Sequence, residues 1–505
     1  MRILTRIILV FITVTPLLVS AQPKGQSKKY PSLLWEITGK GLSRPSYLFG
    51  TMHVSSKLAF HLADSFFLGI RNADVVALET NPETWQEDMH KYGLPSPGYR
   101  NQGYYQEIPN DFLTQNSLRF YPYAAKIARA LYSSPSTINN LLYRSWGNES
   151  SDFEEDTYLD MYIYQCGKKW GKQVAGVEDY AESMQLVVEA YKDAARDRNT
   201  RERNYDHDNS YSYNKLQEAY RSGNLDWLDS INKHNSFSPA FDEKFLYKRN
   251  EIQANSIDSI IKTGKSLFAG VGAAHLPGER GVIEMLRNAG YKLRPIKMGA
   301  RDSQHKNQVE KVRVSVKFTT QKSEDGFFKV DIPGKLYRFE QTGWLDQQQF
   351  ADVANGSYYM VTRIPTHAGL FGHSEARVME IVDSLLYENI PGRIIARTKL
   401  VRNGFNGIDL TNRTRRGDVQ RYNIFVTPFE VIIFKMSGNG EYVKNGTEAS
   451  KFFGSIQFKE YCTPIANTWK KYSPPFGGFS VELPHEPYMN RADSWIFDAT
   501  DKSEQ

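Results

Sequence analysis

Apolar residues along this chain fall into two kinds of pattern, and the kind changes near residue 300. From Leu33 to about Met298, short continuous apolar runs alternate with stretches of helical spacing. The short runs are Tyr47-Leu48-Phe49, Ala73 to Leu78, Gln173 to Val177 and Leu267 to Ala269, each followed by a glycine or a carboxylate. Continuous runs of this length suit strands covered on both faces, as in a parallel sheet. The block from about Leu118 to Ile261 is mostly helical in spacing: Glu182 to Asp197, Asn214 to Arg221, and a helix opened by Asp242-Glu243 that ends near Ile261. The pattern predicts an α/β core with this helical block packed over it as a lid.

Polar residues dominate Gly299 to Glu310, which shows no apolar periodicity and reads as a linker. Beyond it, Val312 to Phe318, Phe327 to Ile332, Tyr358 to Ile364, Arg393 to Val401, Tyr422 to Thr427 and Phe429 to Met436 read as strands. A helix from Ser374 to Tyr387 interrupts them, and another from Glu448 to Phe458 closes the unit. This order, with the aromatic ending Phe452-Phe453-Gly454-Ser455-Ile456, resembles the PsbP/Mog1-like α/β sandwich. The expected organisation is a larger α/β domain over 30–298, a smaller α/β sandwich over 311–460, and a tail or truncated second module over 461–505. The last rests on an echo of Gly326 to Pro333 in Gly478 to Pro484. Within the sandwich, His367 and His373 flank a glycine-rich loop and read as structural or solvated.

The first residues carry an address. Arg2 and Arg6 precede an apolar run from Ile7 to Val19, and the small residues Ser20-Ala21 follow. A basic start, a short apolar centre and a small-residue end predict a secretory signal over 1–21, so the mature protein is expected to be exported, periplasmic or secreted. No later apolar stretch approaches the roughly 20 residues of a membrane span. The 505 residues carry 63 basic and 57 acidic side chains, a net charge of +6 too evenly spread to suggest nucleic acid. Two cysteines, Cys166 and Cys462, exclude a disulfide framework.

Chemistry concentrates where the short runs end. Gly50-Thr51-Met52-His53 and Gly272-Ala273-Ala274-His275 both place a histidine three residues after a glycine that closes a strand. Ligands in open α/β sheets gather just beyond the carboxyl ends of strands, so the two histidines point to a shared metal or acid–base centre. Glycine at Gly50 and Gly272 lets the backbone approach a ligand closely. Ala73 to Leu78 delivers Glu79, and Gln173 to Val177 delivers Glu178. A carboxylate closing an apolar strand calls for a cation, an arginine or a helix N-terminus.

These blocks resemble the TraB/GumN/PrgY family, whose animal relatives are the Tiki proteins. Leu33 to Gly41 and Ser46 to Val54 look like its first block, and Gly272 to Ile296 looks like its last. Glu79, Glu178 and Arg249-Asn250 stand where such proteins carry a strand-end Glu, a GxE and an Arg-Asn helix motif. The resemblance implies a metalloprotease or related hydrolase with His53, His275 and Glu79 holding a divalent ion, manganese, cobalt or zinc. It also implies that Glu79, Glu178, Arg249 and Asn250 serve catalysis on a peptide or protein substrate. Two imidazoles and a carboxylate suit such an ion.

Other motifs are present only as fragments. Gly270-Val271-Gly272 begins a dinucleotide fingerprint, but His275 stands at its third glycine position. Thr263-Gly264-Lys265-Ser266 ends like a phosphate loop, with Ser259 in place of its first glycine. Asp206-His207-Asp208 reads as a solvated helix face. Neither H-E-x-x-H nor G-x-S-x-G occurs. The histidine pair equally suits a non-catalytic envelope protein that holds a peptide, a metal or haem, and the second domain suits an envelope partner. N-terminal sequencing of protein from an exported fraction is expected to begin at Gln22; an intact Met1 there contradicts the signal.

Overall fold

The structure is a computed structural model that describes residues 28–52, 62–92, 123–132, 157–196, 212–297, 299, 304–338, 345–366, 368, 372–415, 417–438, 440, 442–459, 470–473, 478–483, 488–491 and 494–496. The signal segment, His53, Asp206-His207-Asp208, His367 and Cys462 lie outside the described residues.

The short apolar runs are strands of one sheet. These are β1 (Leu34–Thr38), β2 (Ser46–Thr51), β3 (Val75–Leu78), β4 (Gln173–Gly176), β5 (Leu267–Gly272) and β6 (Lys292–Ile296), ordered β4-β3-β5-β2-β1-β6. The first four strands in that order run parallel, and β1 is antiparallel to both β2 and β6. Every residue of β2, β3 and β5 is buried, as parallel strands covered on both faces require. Phe66, from the helix Asp64–Asn72, packs edge-on against Phe49 at 4.9 Å and Phe268 at 5.5 Å, joining helix to sheet. Thr51 lies opposite Gly272 and Leu78 opposite Gly176, so the parallel strands finish along one edge.

The second part is built from antiparallel strands. They are β7 (Thr319–Lys322), β8 (Phe328–Ile332), β9 (Tyr337–Arg338), β10 (Asp346–Asp352), β11 (Ser357–Pro365), β12 (Arg393–Arg402), β13 (Phe405–Arg413), β14 (Val419–Val426), β15 (Glu430–Gly438) and β16 (Gln457–Phe458). Seven of them form a sheet ordered β12-β13-β14-β15-β11-β10-β9, and β16-β8-β7 form a smaller one. Period-2 alternation along β15 sends Val431 and Ile433 toward the helix Glu375–Asn389. It sends Ile432, Phe434 and Met436 toward the smaller sheet and the helix Thr447–Gly454. The chain is therefore an α/β protein in both parts.

Several sequence expectations change. Val312 to Phe318 is not a strand: the Asn355 side chain accepts from Val314 N–H at 2.9 Å and donates to Val314 C=O at 3.0 Å, taking the place of a neighbouring strand. The closing helix stops at Gly454, and β16 follows it, with Phe458 N–H donating to Asn403 Oδ1. The polar stretch after Gly299 contains a helix, Gln304–Glu310, anchored by Val309 in the core. β10 and β13 were not evident from sequence, because buried Gln347, Gln349 and Asn412 disguise their inward faces. His373 is structural, its Nδ1 lying 2.6 Å from the Tyr123 hydroxyl. Cys166 is a free buried thiol, pushed up to about 12 by burial.

The two sheets share packing. Ala351, Val353, Ala354, Tyr358 and Met360 belong to the same apolar cluster as the β1 to β6 core. The helix Trp85–Tyr92, which follows the Glu79 turn, is fastened to the edge of the second sheet by Gln86. Gln86 Nε2 donates to Ala351 C=O at 2.8 Å, and its Oε1 accepts from Ala351 N–H at 2.6 Å. A buried backbone donor left without a partner costs about 1–3 kcal/mol. Gln86→Leu is therefore expected to lower the unfolding free energy by about 1–3 kcal/mol in a urea titration. An unchanged midpoint would show that this fastening carries no stability.

Candidate functional site

Glu79 and Glu178 are brought together by a glycine. A Cβ on Gly176 would lie 2.6 Å from Asn81 N and 3.0 Å from Thr80 C, so only glycine lets the ends of β3 and β4 approach this closely. Val177 N–H then donates to Leu78 C=O at 2.9 Å, and Glu178 N–H to Glu79 C=O at 2.6 Å. From the neighbouring β5, Gly272 N–H donates to Glu79 Oε1 at 2.7 Å. The chain then turns through a 3-10 segment, Ala273–His275, which delivers His275 to the same edge, 5% exposed. Gly50 serves this turn through packing: a Cβ there would meet Ala273 Cα and Cβ at 3.1 Å. Its C=O accepts from Tyr220 Oη at 2.9 Å, and burial keeps that hydroxyl protonated by pushing it well above its ordinary value.

The other half of the site comes from the helix Lys248–Lys262. It is preceded by a widened π turn, Glu243–Tyr247, a feature frequent at functional sites. Arg249, Asn250 and Gln253 are all buried on its inward side. Arg249 Nε donates to Glu178 Oε2 at 2.9 Å, and Arg249 Nη2 donates to Glu79 Oε2 at 2.7 Å. Gln253 Nε2 donates to Glu178 Oε1 at 2.5 Å. Burial works against the Arg249 charge, but Glu79 and Glu178 outweigh it and hold its pKa above the ordinary value.

Asn250 decides the state of His275. Its Nδ2 donates to Arg280 C=O at 2.7 Å, and a carbonyl can only accept, so the amide oxygen faces the imidazole. Asn250 Oδ1 lies 2.6 Å from His275 Nδ1, which must therefore carry the proton. The other ring nitrogen, Nε2, lies 3.6 Å from Glu79 Oε1.

The predicted residues thus divide by role. His275 and Glu79 each present an atom to the space between them. Glu178, with both oxygens occupied, holds Arg249, while Arg249 orients Glu79 and Asn250 orients His275. Gly272 contributes its N–H to Glu79, and Gly50 makes room for the His275 turn. His53, the remaining expected ligand, lies outside the described residues. Among the described residues no three His, Cys, Asp or Glu side chains gather as a metal-holding group. Sequence reasoning missed Gln253 and Tyr220. The signal for Gln253 was its spacing, one turn beyond Arg249-Asn250 on the same helix; Tyr220 had none.

Removing one partner from a buried ion pair costs about 3–5 kcal/mol, because the other charge stays buried. Arg249→Met leaves two carboxylates facing each other, with side chains only 15% and 1% exposed. It is expected to destabilise the fold by about 3–5 kcal/mol in chemical denaturation. A loss below about 1 kcal/mol, the scale of a surface pair, would contradict the arrangement.

Comparison with known proteins agrees with the first part of the chain. The profile of the TraB/PrgY/gumN family matches residues 33–295, just over half of the sequence. No curated protein matches. Among solved structures, a protein of unknown function from Pseudomonas aeruginosa, PA94, is similar at 13% identity over 30% of this chain and 99% of that one. Its TM-score of 0.19 carries no argument about this protein. The match runs from β1 into β6 and covers every residue of the Glu79, Glu178, Arg249, Asn250 and His275 cluster, and the chain belongs to the TraB/PrgY/gumN family.

Proposed function

We propose that this protein is an exported, metal-dependent hydrolase of peptide bonds, with His275 and Glu79 as ligands of a divalent ion and His53 as the third. The observation that carries the reading is the orientation of His275. A metal-binding imidazole commonly donates its other N–H to an oxygen that fixes the tautomer, and Asn250 Oδ1 does this at 2.6 Å. The donor set fits such an ion: an imidazole nitrogen and a carboxylate oxygen stand 3.6 Å apart on one edge of the sheet. Bound there, a divalent cation would polarise a carbonyl and acidify water.

The chain's own residues do the rest. Arg249 and Gly272 N–H hold the Glu79 carboxylate, leaving Oε1 turned toward His275. Asn250 keeps the proton on Nδ1 and sets the ring so that Nε2 lies on the Glu79 side. Glu178 is a positioning residue, since Arg249 and Gln253 take both of its oxygens.

The test combines metal analysis of the purified protein with turnover of a quenched-fluorescent peptide library, before and after chelation and with manganese, cobalt or zinc restored. His275→Ala and Glu79→Gln are each expected to lose at least tenfold in metal affinity, together with turnover, while far-UV circular dichroism is retained. Asn250→Ala is expected to weaken metal affinity by about 10–100-fold. Full metal content and full turnover in His275→Ala would overturn the proposal. Metal binding without hydrolysis of any peptide would favour a binding protein.

A further inference from the structure

The second sheet ends on a long open edge. β12, Arg393–Arg402, is the outermost strand on one side and pairs with β13 alone. Among the described residues it is the longest edge strand: β9 at the opposite side has two residues, β4 and β6 have four and five, and β7 and β16 have four and two. Unpaired edges are templates for strand pairing, and folded proteins ordinarily keep them short or cover them. We infer that β12 is a docking strand that takes up an extended acidic segment of a partner protein as an added strand of the sheet. The inference is independent of the chemistry at Glu79.

The hairpin turn decides which backbone groups are on offer. Arg402 pairs with Phe405 across Asn403 and Gly404, whose φ angles of 47° and 85° make the two-residue turn that matches the twist of the strands. A hydrogen-bonded pair closes such a turn, and hydrogen-bonded and open pairs then alternate down an antiparallel ladder. Arg402, Leu400, Thr398 and Ala396 therefore bond inward to β13, while Val401, Lys399 and Arg397 direct their N–H and C=O outward. Among the described residues, no hydrogen bond reaches these outward backbone groups. The register shifts between Ile394 and Ala396, a bulge that ends the regular edge.

Side chains select the partner. β12 carries four basic residues, Arg393, Arg397, Lys399 and Arg402, and no acidic one. Arg397 is engaged by Asp383 of the helix Glu375–Asn389, and Arg402 donates to the C=O groups of Gly454 and Phe453. Lys399 is exposed and forms no ion pair among the described residues. A second copy of β12 would bring like charges opposite one another, which destabilises cross-strand pairs, so the edge rejects itself and admits carboxylates. Glutamates at alternate positions of an added strand would line the face of Arg397 and Lys399, and apolar residues between them would cover Ala396, Thr398 and Leu400. Exposed apolar surface lies alongside: Val401 is 65% exposed, Ile395 38%, and Tyr387, one helical turn beyond Asp383, 68%.

The test titrates the full chain with a fluorescein-labelled peptide of alternating glutamate and valine and follows fluorescence anisotropy. Its lysine–valine counterpart, a backbone N-methylated glutamate–valine peptide and an oligothymidylate serve as controls. The glutamate–valine peptide is expected to bind and the three controls are not, and amide hydrogen exchange at Arg397, Lys399 and Val401 should slow when it does. Lys399→Glu should weaken binding about tenfold, the scale of reversing one exposed ion pair. Val401→Pro, which deletes an outward N–H and spares the ladder to β13, should weaken it at least as much. Lys215→Glu, the same charge change on a helix of the first part, should leave the affinity unchanged. No saturation below about 1 mM, equal binding of the N-methylated peptide or the oligothymidylate, or unchanged affinity in Lys399→Glu overturns the proposal. So does exchange that stays fast at the three edge amides in the unaltered chain, a readout that does not depend on how the variants fold.

Discussion

The guanidinium of Arg249 is what allows two strand-end carboxylates to lie side by side at the buried edge of the first sheet. Glu79 and Glu178 approach through the Gly176 contact, and two like charges in a site this dry would otherwise repel and lose their ionisation. One planar cation with several donors answers both: Nε takes Glu178 and Nη2 takes Glu79. A lysine ammonium could match the charge but not this fixed two-sided geometry. The helix Lys248–Lys262 is thereby tied to β3 and β4, and every orientation in the site follows from that tie.

Its consequences run through the helix to the histidine. With Arg249 pinned, Asn250 on the same turn is held against Arg280 C=O and His275, and Gln253 one turn later closes the Glu178 carboxylate. The imidazole proton is thus set by a backbone carbonyl that cannot donate. A chain of groups with obligatory hydrogen-bond direction sets His275 Nε2 and Glu79 Oε1 on facing sides, 3.6 Å apart.

The second sheet is joined to this arrangement by packing and by a short helix. Trp85–Tyr92 begins six residues after Glu79; Gln86 engages the β10 backbone, and His90 meets β9. The shared apolar cluster makes the join extensive, reaching Tyr358 and Met360 on β11.

The sequence by itself determined the strands and their chemical cargo. Continuous burial of β2, β3 and β5 was legible as unbroken apolar runs, and Glu79, Glu178 and His275 as polar residues placed just after them. Runs of β-branched, aromatic and other apolar residues revealed β11 and β15, while β10 and β13 stayed hidden because their inward faces carry buried glutamine and asparagine. Tertiary structure alone decided the roles. Arg249 reads from sequence as a charged helix residue, equally suited to solvent, and only folding sets it between carboxylates 170 and 71 positions away. Gln253 and Tyr220 gained their places in the same way. Local sequence specifies which backbone conformation a segment prefers, whereas the partner of a buried polar group is set by long-range packing, which no local pattern encodes.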